Sequence, residues 1–111
     1  MKIEIKELKS VSDGSHTGKI VGVESRTEPY SYTDYVIEFT ENDSTYKLKA
    51  GFPTNLCKGS KHAIFLEQFG MELVVGTQVD PESFTVGKEV TFLTMTKNNF
   101  ANVVPESVKP K

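Results

Sequence analysis

Cysteine is almost absent from the chain. Cys57 is the only one, so no disulfide can form within it, and a single thiol is typical of a reducing compartment. Arginine is as scarce, with Arg26 alone. Long apolar runs are missing: none approaches the roughly 20 residues that a spanning helix needs. The opening Met1-Lys2-Ile3-Glu4-Ile5-Lys6 alternates charge with isoleucine, where a signal peptide would carry an apolar stretch. The expectation is a soluble cytoplasmic protein without membrane association.

The usual signatures of chemistry are missing too. Gly14-Ser15-His16-Thr17-Gly18-Lys19-Ile20 has three residues between its glycines, whereas a phosphate-binding loop has four, and Ile20 stands where a magnesium-binding hydroxyl belongs. His16 and His62 are far apart, and Cys57 has no cysteine at ligand spacing. Cys57 and His62, five residues apart, match no nucleophile–base signature. Cys57 reads instead as a small apolar residue packed beside Leu56, and His62 as a solvent-facing residue near a helix start. The carboxylates are scattered and surface-like, with no pair set to split its pKa values. The sequence therefore points to a non-catalytic protein without metal or cofactor.

What is present is the material of one small β domain. A chain of 111 residues with 37% hydrophobic residues can bury a core without a staple. Residues 1–108 read as that domain, 1–12 as an extra strand or docked arm, and 109–111 as a loose tail. Strand one runs over about Thr17–Ser25, with Gly18 and Gly22 marking a bulge or bend. Residues 26–33 form a loop containing Pro29. Strand two, about Asp34–Thr40, alternates Tyr35, Ile37 and Phe39 against Val36 and Glu38.

Glu41-Asn42-Asp43-Ser44 is a hairpin turn. Strand three, about Thr45–Phe52, sets Tyr46, Leu48, Ala50 and Phe52 against Thr45, Lys47, Lys49 and Gly51. Ser60–Phe69 reads as a helix capped by Ser60 and ended by Gly70, with Ala63, Ile64, Phe65, Leu66 and Phe69 in its apolar stripe. Leu73-Val74-Val75 suggests a short strand and Asp80-Pro81-Glu82-Ser83 a turn. Strand four follows within 86–95, Lys97-Asn98-Asn99 turns the chain, and Phe100–Val104 is strand five. Three strands, a helix and two strands is the order of a five-stranded OB-fold barrel.

The net charge of −2 is unevenly spread. Residues 43–66 carry four basic side chains against one acidic, and 67–90 carry one against five. Basic and aromatic residues coincide in the first loop, on the second hairpin and at the last turn: Arg26, Tyr30, Tyr32, Lys47, Lys49, Phe52, Lys97 and Phe100. In an OB barrel these places border one groove. Aromatic rings there can stack on unpaired bases, each worth roughly 1–3 kcal/mol, while cations follow the phosphates. The expected partner is single-stranded nucleic acid, most simply DNA. The alternative is a protein-interaction module, an adaptor, inhibitor or nucleic-acid mimic that works through the acidic stretch 67–90.

Several phrases carry a family likeness: Asp13-Gly14-Ser15-His16-Thr17-Gly18-Lys19-Ile20, Tyr35-Val36-Ile37-Glu38-Phe39, Val86-Gly87-Lys88-Glu89-Val90 and Asn102-Val103-Val104-Pro105. With the strand order, they make the chain resemble the small OB-fold single-stranded DNA-binding proteins of phages and archaea. That resemblance implies a role in DNA replication or recombination without a catalytic centre.

Overall fold

The computed structural model describes residues 11–28, 30–57, 59–97 and 100–111. The expected arm over 1–12 therefore lies outside the described residues except for Val11 and Ser12, and the Lys97-Asn98-Asn99 turn except for Lys97. The elements are β1 (Gly14–Arg26), β2 (Tyr32–Glu41), β3 (Ser44–Pro53), α1 (Lys61–Glu67), α2 (Pro81–Thr85), β4 (Glu89–Lys97), β5 (Phe100–Val103) and β6 (Lys109–Pro110). All strands pair antiparallel in one sheet of order β3-β2-β1-β4-β5, with β6 added to β4. The hydrogen-bonded path is not closed into a barrel, although β3 and β5 approach each other.

β1 is long because it serves two neighbours. Gly14–Lys19 pairs with β4 and Lys19–Arg26 with β2. The change-over coincides with a bulge: Ile20 faces Ile37 and Gly22 faces Val36, leaving Val21 as the extra residue. A bulge bends the strand and shifts its side-chain parity. Ile20 points inward before it and Val23 packs on the core after it, while Glu24 and Arg26 turn outward. Gly18 lets β1 pass close to β2 just before the bulge. A Cβ there would lie 2.7 Å from the Glu38 carbonyl oxygen and 2.9 Å from an Ile37 methyl, so a larger residue would push β1 off β2.

β2 and β3 form the regular hairpin that their alternation predicts. Asn42 and Asp43 adopt φ of 50° and 63°, the left-handed pair that a two-residue hairpin turn requires and that these residues tolerate. Tyr35, Ile37, Phe39, Ala50 and Phe52 point inward and meet Ile20, Val90, Phe92 and Val103 from the other strands.

α1 covers one end of this core. Ser60 caps it, its Oγ accepting from the Ala63 N–H at 3.2 Å, and Gly70 follows with φ of 84°. The buried stripe is His62, Ala63, Phe65 and Leu66, with Phe69 packed alongside. Ile64, expected in that stripe, is half exposed. At 100° per residue, 62, 65, 66 and 69 share one face and 64 falls off it. His62 is correspondingly buried rather than solvent-facing.

Three other expectations change. Leu73-Val74-Val75 forms no strand, and Val74 and Val75 are exposed. The Asp80–Ser83 turn is the start of α2: Asp80 Oδ1 accepts from the Glu82 N–H at 3.1 Å, with Pro81 in the first helical turn. The tail after Val108 is tied down through β6, and the Lys111 N–H bonds the Glu89 carbonyl at 3.0 Å.

Candidate nucleic-acid interface

The inner and outer faces of the sheet follow from the register. On the outer face, Arg26 lies beside Tyr32, and Glu24, Asp34 and Gly51 form the next row. Gly22, Val36 and Lys49 come next, then Lys19, Glu38 and Lys47. On the β4–β5 hairpin, Leu93, Met95 and Lys97 alternate outward against the inward Val90, Phe92 and Thr94, and Phe100 pairs with Lys97.

Arg26 and Tyr32 are strand ends rather than loop residues, so the connection between β1 and β2 is only 27–31. The Arg26 guanidinium grips the buried Asp34 carboxylate with two bonds, Nε to Oδ2 at 2.6 Å and Nη2 to Oδ1 at 3.1 Å. It also sits 5.0 Å from the centre of the Tyr32 ring, within the range of a cation–π contact. The bond to Asp34 holds the Arg26 pKa above its ordinary value. Gly51 makes room for this arrangement: a Cβ there would stand 2.7 Å from Asp34 Oδ1 and 3.5 Å from Arg26 Nη2.

Lys49 Nζ lies 2.7 Å from Glu24 and Lys47 Nζ 3.9 Å from Glu38. The Glu24 bond raises the Lys49 pKa. Both lysines are exposed, as expected, and both are already paired. Tyr30 projects from the β1–β2 connection and Phe100 from the start of β5, each 72% exposed. Lys97 is exposed at the end of β4 and forms no ion pair among the described residues.

Phe52 is corrected. It is 2% exposed and belongs to the core, because it shares its face with Leu48 and Ala50. Its ring stacks on His62, with centroids 5.7 Å apart and planes at 11°, and lies 4.7 Å from Phe65. The eight expected residues thus divide. Arg26, Tyr32, Lys47 and Lys49 share the outer face of β1–β3, Lys97 and Phe100 lie together at the last hairpin, Tyr30 stands at the first connection, and Phe52 is inside.

Sequence reasoning missed two sets of residues. The carboxylates that hold the cations, Glu24, Asp34 and Glu38, could have been found only from the register. The exposed apolar Leu93 and Met95 beside Phe100 were legible as the outward positions of strand four.

The buried His62 is fully engaged: Nε2 meets the Tyr35 hydroxyl at 2.5 Å and Nδ1 the Thr54 carbonyl at 3.3 Å. Burial lowers the His62 pKa and raises that of Tyr35, so the pair is neutral at pH 7. Cys57 is exposed rather than packed, its thiol directed at Asn55 Oδ1, and His62 has no nitrogen left to act as its base. Among the described residues, no group of three or more His, Cys, Asp or Glu could hold a metal ion, and no helix is long and apolar enough to cross a membrane.

No known family model matches the chain, and no curated protein is significantly similar to it.

Proposed function

We propose that the protein is a non-catalytic binder of single-stranded nucleic acid, most simply DNA, acting through the outer face of an open OB-like sheet. One observation carries this reading. The two most exposed of the eleven aromatic rings, Tyr30 and Phe100, stand at the β1–β2 and β4–β5 connections, with Tyr32 beside Arg26 where β2 begins and β1 ends. Unpaired bases are flat apolar partners that any exposed ring can stack on. The strand order, the placing of α1 between β3 and β4, and the approach of β3 to β5 support the OB-like description. The likeness to phage and archaeal single-stranded DNA-binding proteins points the same way, toward replication or recombination.

Fluorescence anisotropy with labelled oligonucleotides tests the reading. An unstructured single strand should bind and a duplex of the same length should bind at least tenfold more weakly. Equal affinity for both, or no binding to either, would remove it.

A second reading has its own observation. Leu56, Leu73, Val74 and Val79 line an open apolar hollow of about 530 Å³, and the exposed Val75, Glu72 and Asp80 lie along the same stretch of chain. An apolar hollow on a stretch of chain that also carries exposed carboxylates suits a basic protein partner. A pull-down partner lost on reversing Glu72 and Asp80, with no oligonucleotide binding, would favour it.

A further inference from the structure

The cations and carboxylates of the outer face are paired, either within one row or between neighbouring rows. Across the middle of the sheet the register sets Glu89 beside Lys19, Lys19 beside Glu38, and Glu38 beside Lys47. Charges therefore alternate over four adjacent strands, and Lys111 lies 3.9 Å from Glu89 at the end of the row. The next cation, Lys49, is held by Glu24 at 2.7 Å, and Arg26 is held by Asp34. A phosphate approaching β1–β3 meets cations that already face carboxylates. It also meets those carboxylates, which repel it.

Resting on the nucleic-acid reading above, we propose that Glu24 and Glu38 are resident competitors for the phosphate backbone. They occupy Lys49 and Lys47, so that a bound strand draws its affinity from stacking on the exposed rings and makes few net phosphate contacts. The pairs are exposed and weak, so they tune the site rather than shut it. The consequence is a binder whose affinity changes little with salt, unlike proteins that neutralise the strand with free lysines.

Salt dependence reads this directly. Each phosphate contact on a single strand contributes a slope of about −0.7 to log K against log salt. The unaltered protein should give a slope of about −1.4 or shallower with an unstructured oligonucleotide, which allows at most two contacts. Glu24→Gln with Glu38→Gln frees two lysines without changing side-chain shape. That double variant should bind about three- to tenfold more tightly at low salt, and its slope should steepen by about 1.4. Glu67→Gln with Glu72→Gln makes the same change in net charge on α1 and the segment after it, away from the sheet face, and should leave both quantities near their starting values.

A slope of about −2 or steeper in the unaltered protein, with no gain from Glu24→Gln and Glu38→Gln, would overturn the proposal while leaving strand binding intact. Equal gains in the two double variants would overturn it as well, because net charge would then suffice. No binding by either the unaltered protein or the Glu24→Gln, Glu38→Gln variant would remove both the proposal and the reading it rests on.

Discussion

The two faces of one sheet are built on opposite terms. On the inner face Tyr35, Phe52, Phe65 and His62 interlock, with ring centroids 4.6 to 5.9 Å apart. The polar atoms caught there are matched to each other, as Tyr35 and His62 are. On the outer face the rings stand apart in solvent and the charges are matched across strands. Aromatic rings pack against one another on one side and stand in solvent on the other, while polar groups are paired on both. Period-2 alternation lets one strand serve both, since neighbouring residues face opposite ways. The Val21 bulge keeps this division in β1, because without its parity shift Glu24 and Arg26 would point into the core.

Substitutions on the two faces should therefore separate stability from binding. The largest effect belongs inside. Phe52→Ala removes a buried ring and should lower unfolding free energy by about 3–5 kcal/mol in urea titration, while the molecules that remain folded bind an oligonucleotide normally. Loss of binding without loss of stability would return Phe52 to the interface. Next comes Tyr30→Ala with Tyr32→Ala on the outer side. Two stacking platforms at roughly 1–3 kcal/mol each predict at least a tenfold fall in affinity for single strands. Their effect on the urea midpoint should be smaller than that of Phe52→Ala; unchanged affinity would remove both tyrosines from the site.

Gly51→Ala tests the seam between the faces. Its Cβ would collide with Asp34 Oδ1, forcing the Asp34–Arg26 pair to shift at a cost of about 1–3 kcal/mol. A variant as stable as the parent would show that the pair moves freely. The smallest effect is a pH dependence from inside. Burial depresses the folded-state pKa of His62 below its ordinary 6.5, so the unfolded chain takes up the proton first. Stability should hold above pH 6.5 and decline as pH falls from there to the depressed value, by at most about 1.4 kcal/mol per pH unit for one proton. His62→Gln, whatever its own stability, should lose that slope between pH 6.5 and 5.5; a slope that persists would assign the proton elsewhere.

The inner face was largely legible in the sequence and the outer face only in part. Alternation located β2 and β3, the Asn42-Asp43 pair located their turn, and Ser60 located the start of α1. His62 misled because a polar residue heading an apolar stripe looks like surface until Tyr35 is placed opposite it. Leu73-Val74-Val75 misled because apolar β-branched residues suggest a strand, yet no sheet edge accepts them. Phe52 misled because an aromatic residue at a strand end suggests a groove, although its alternation with Ala50 and Leu48 assigns it inward. Tyr30, Lys47, Lys49, Lys97 and Phe100 were legible as exposed positions. The carboxylates facing the cations were not, because Glu24 meets Lys49 only in the register that the Val21 bulge sets.

Strand binding as proposed requires the outer face to be the one that meets the oligonucleotide. The most direct test is an amide NMR titration of the labelled protein with an unstructured single-stranded oligonucleotide. Shift changes should be concentrated at Tyr30, Tyr32, Lys47, Lys49 and Phe100. Shift changes confined to the acidic stretch 67–90, or none at saturating oligonucleotide, would contradict it.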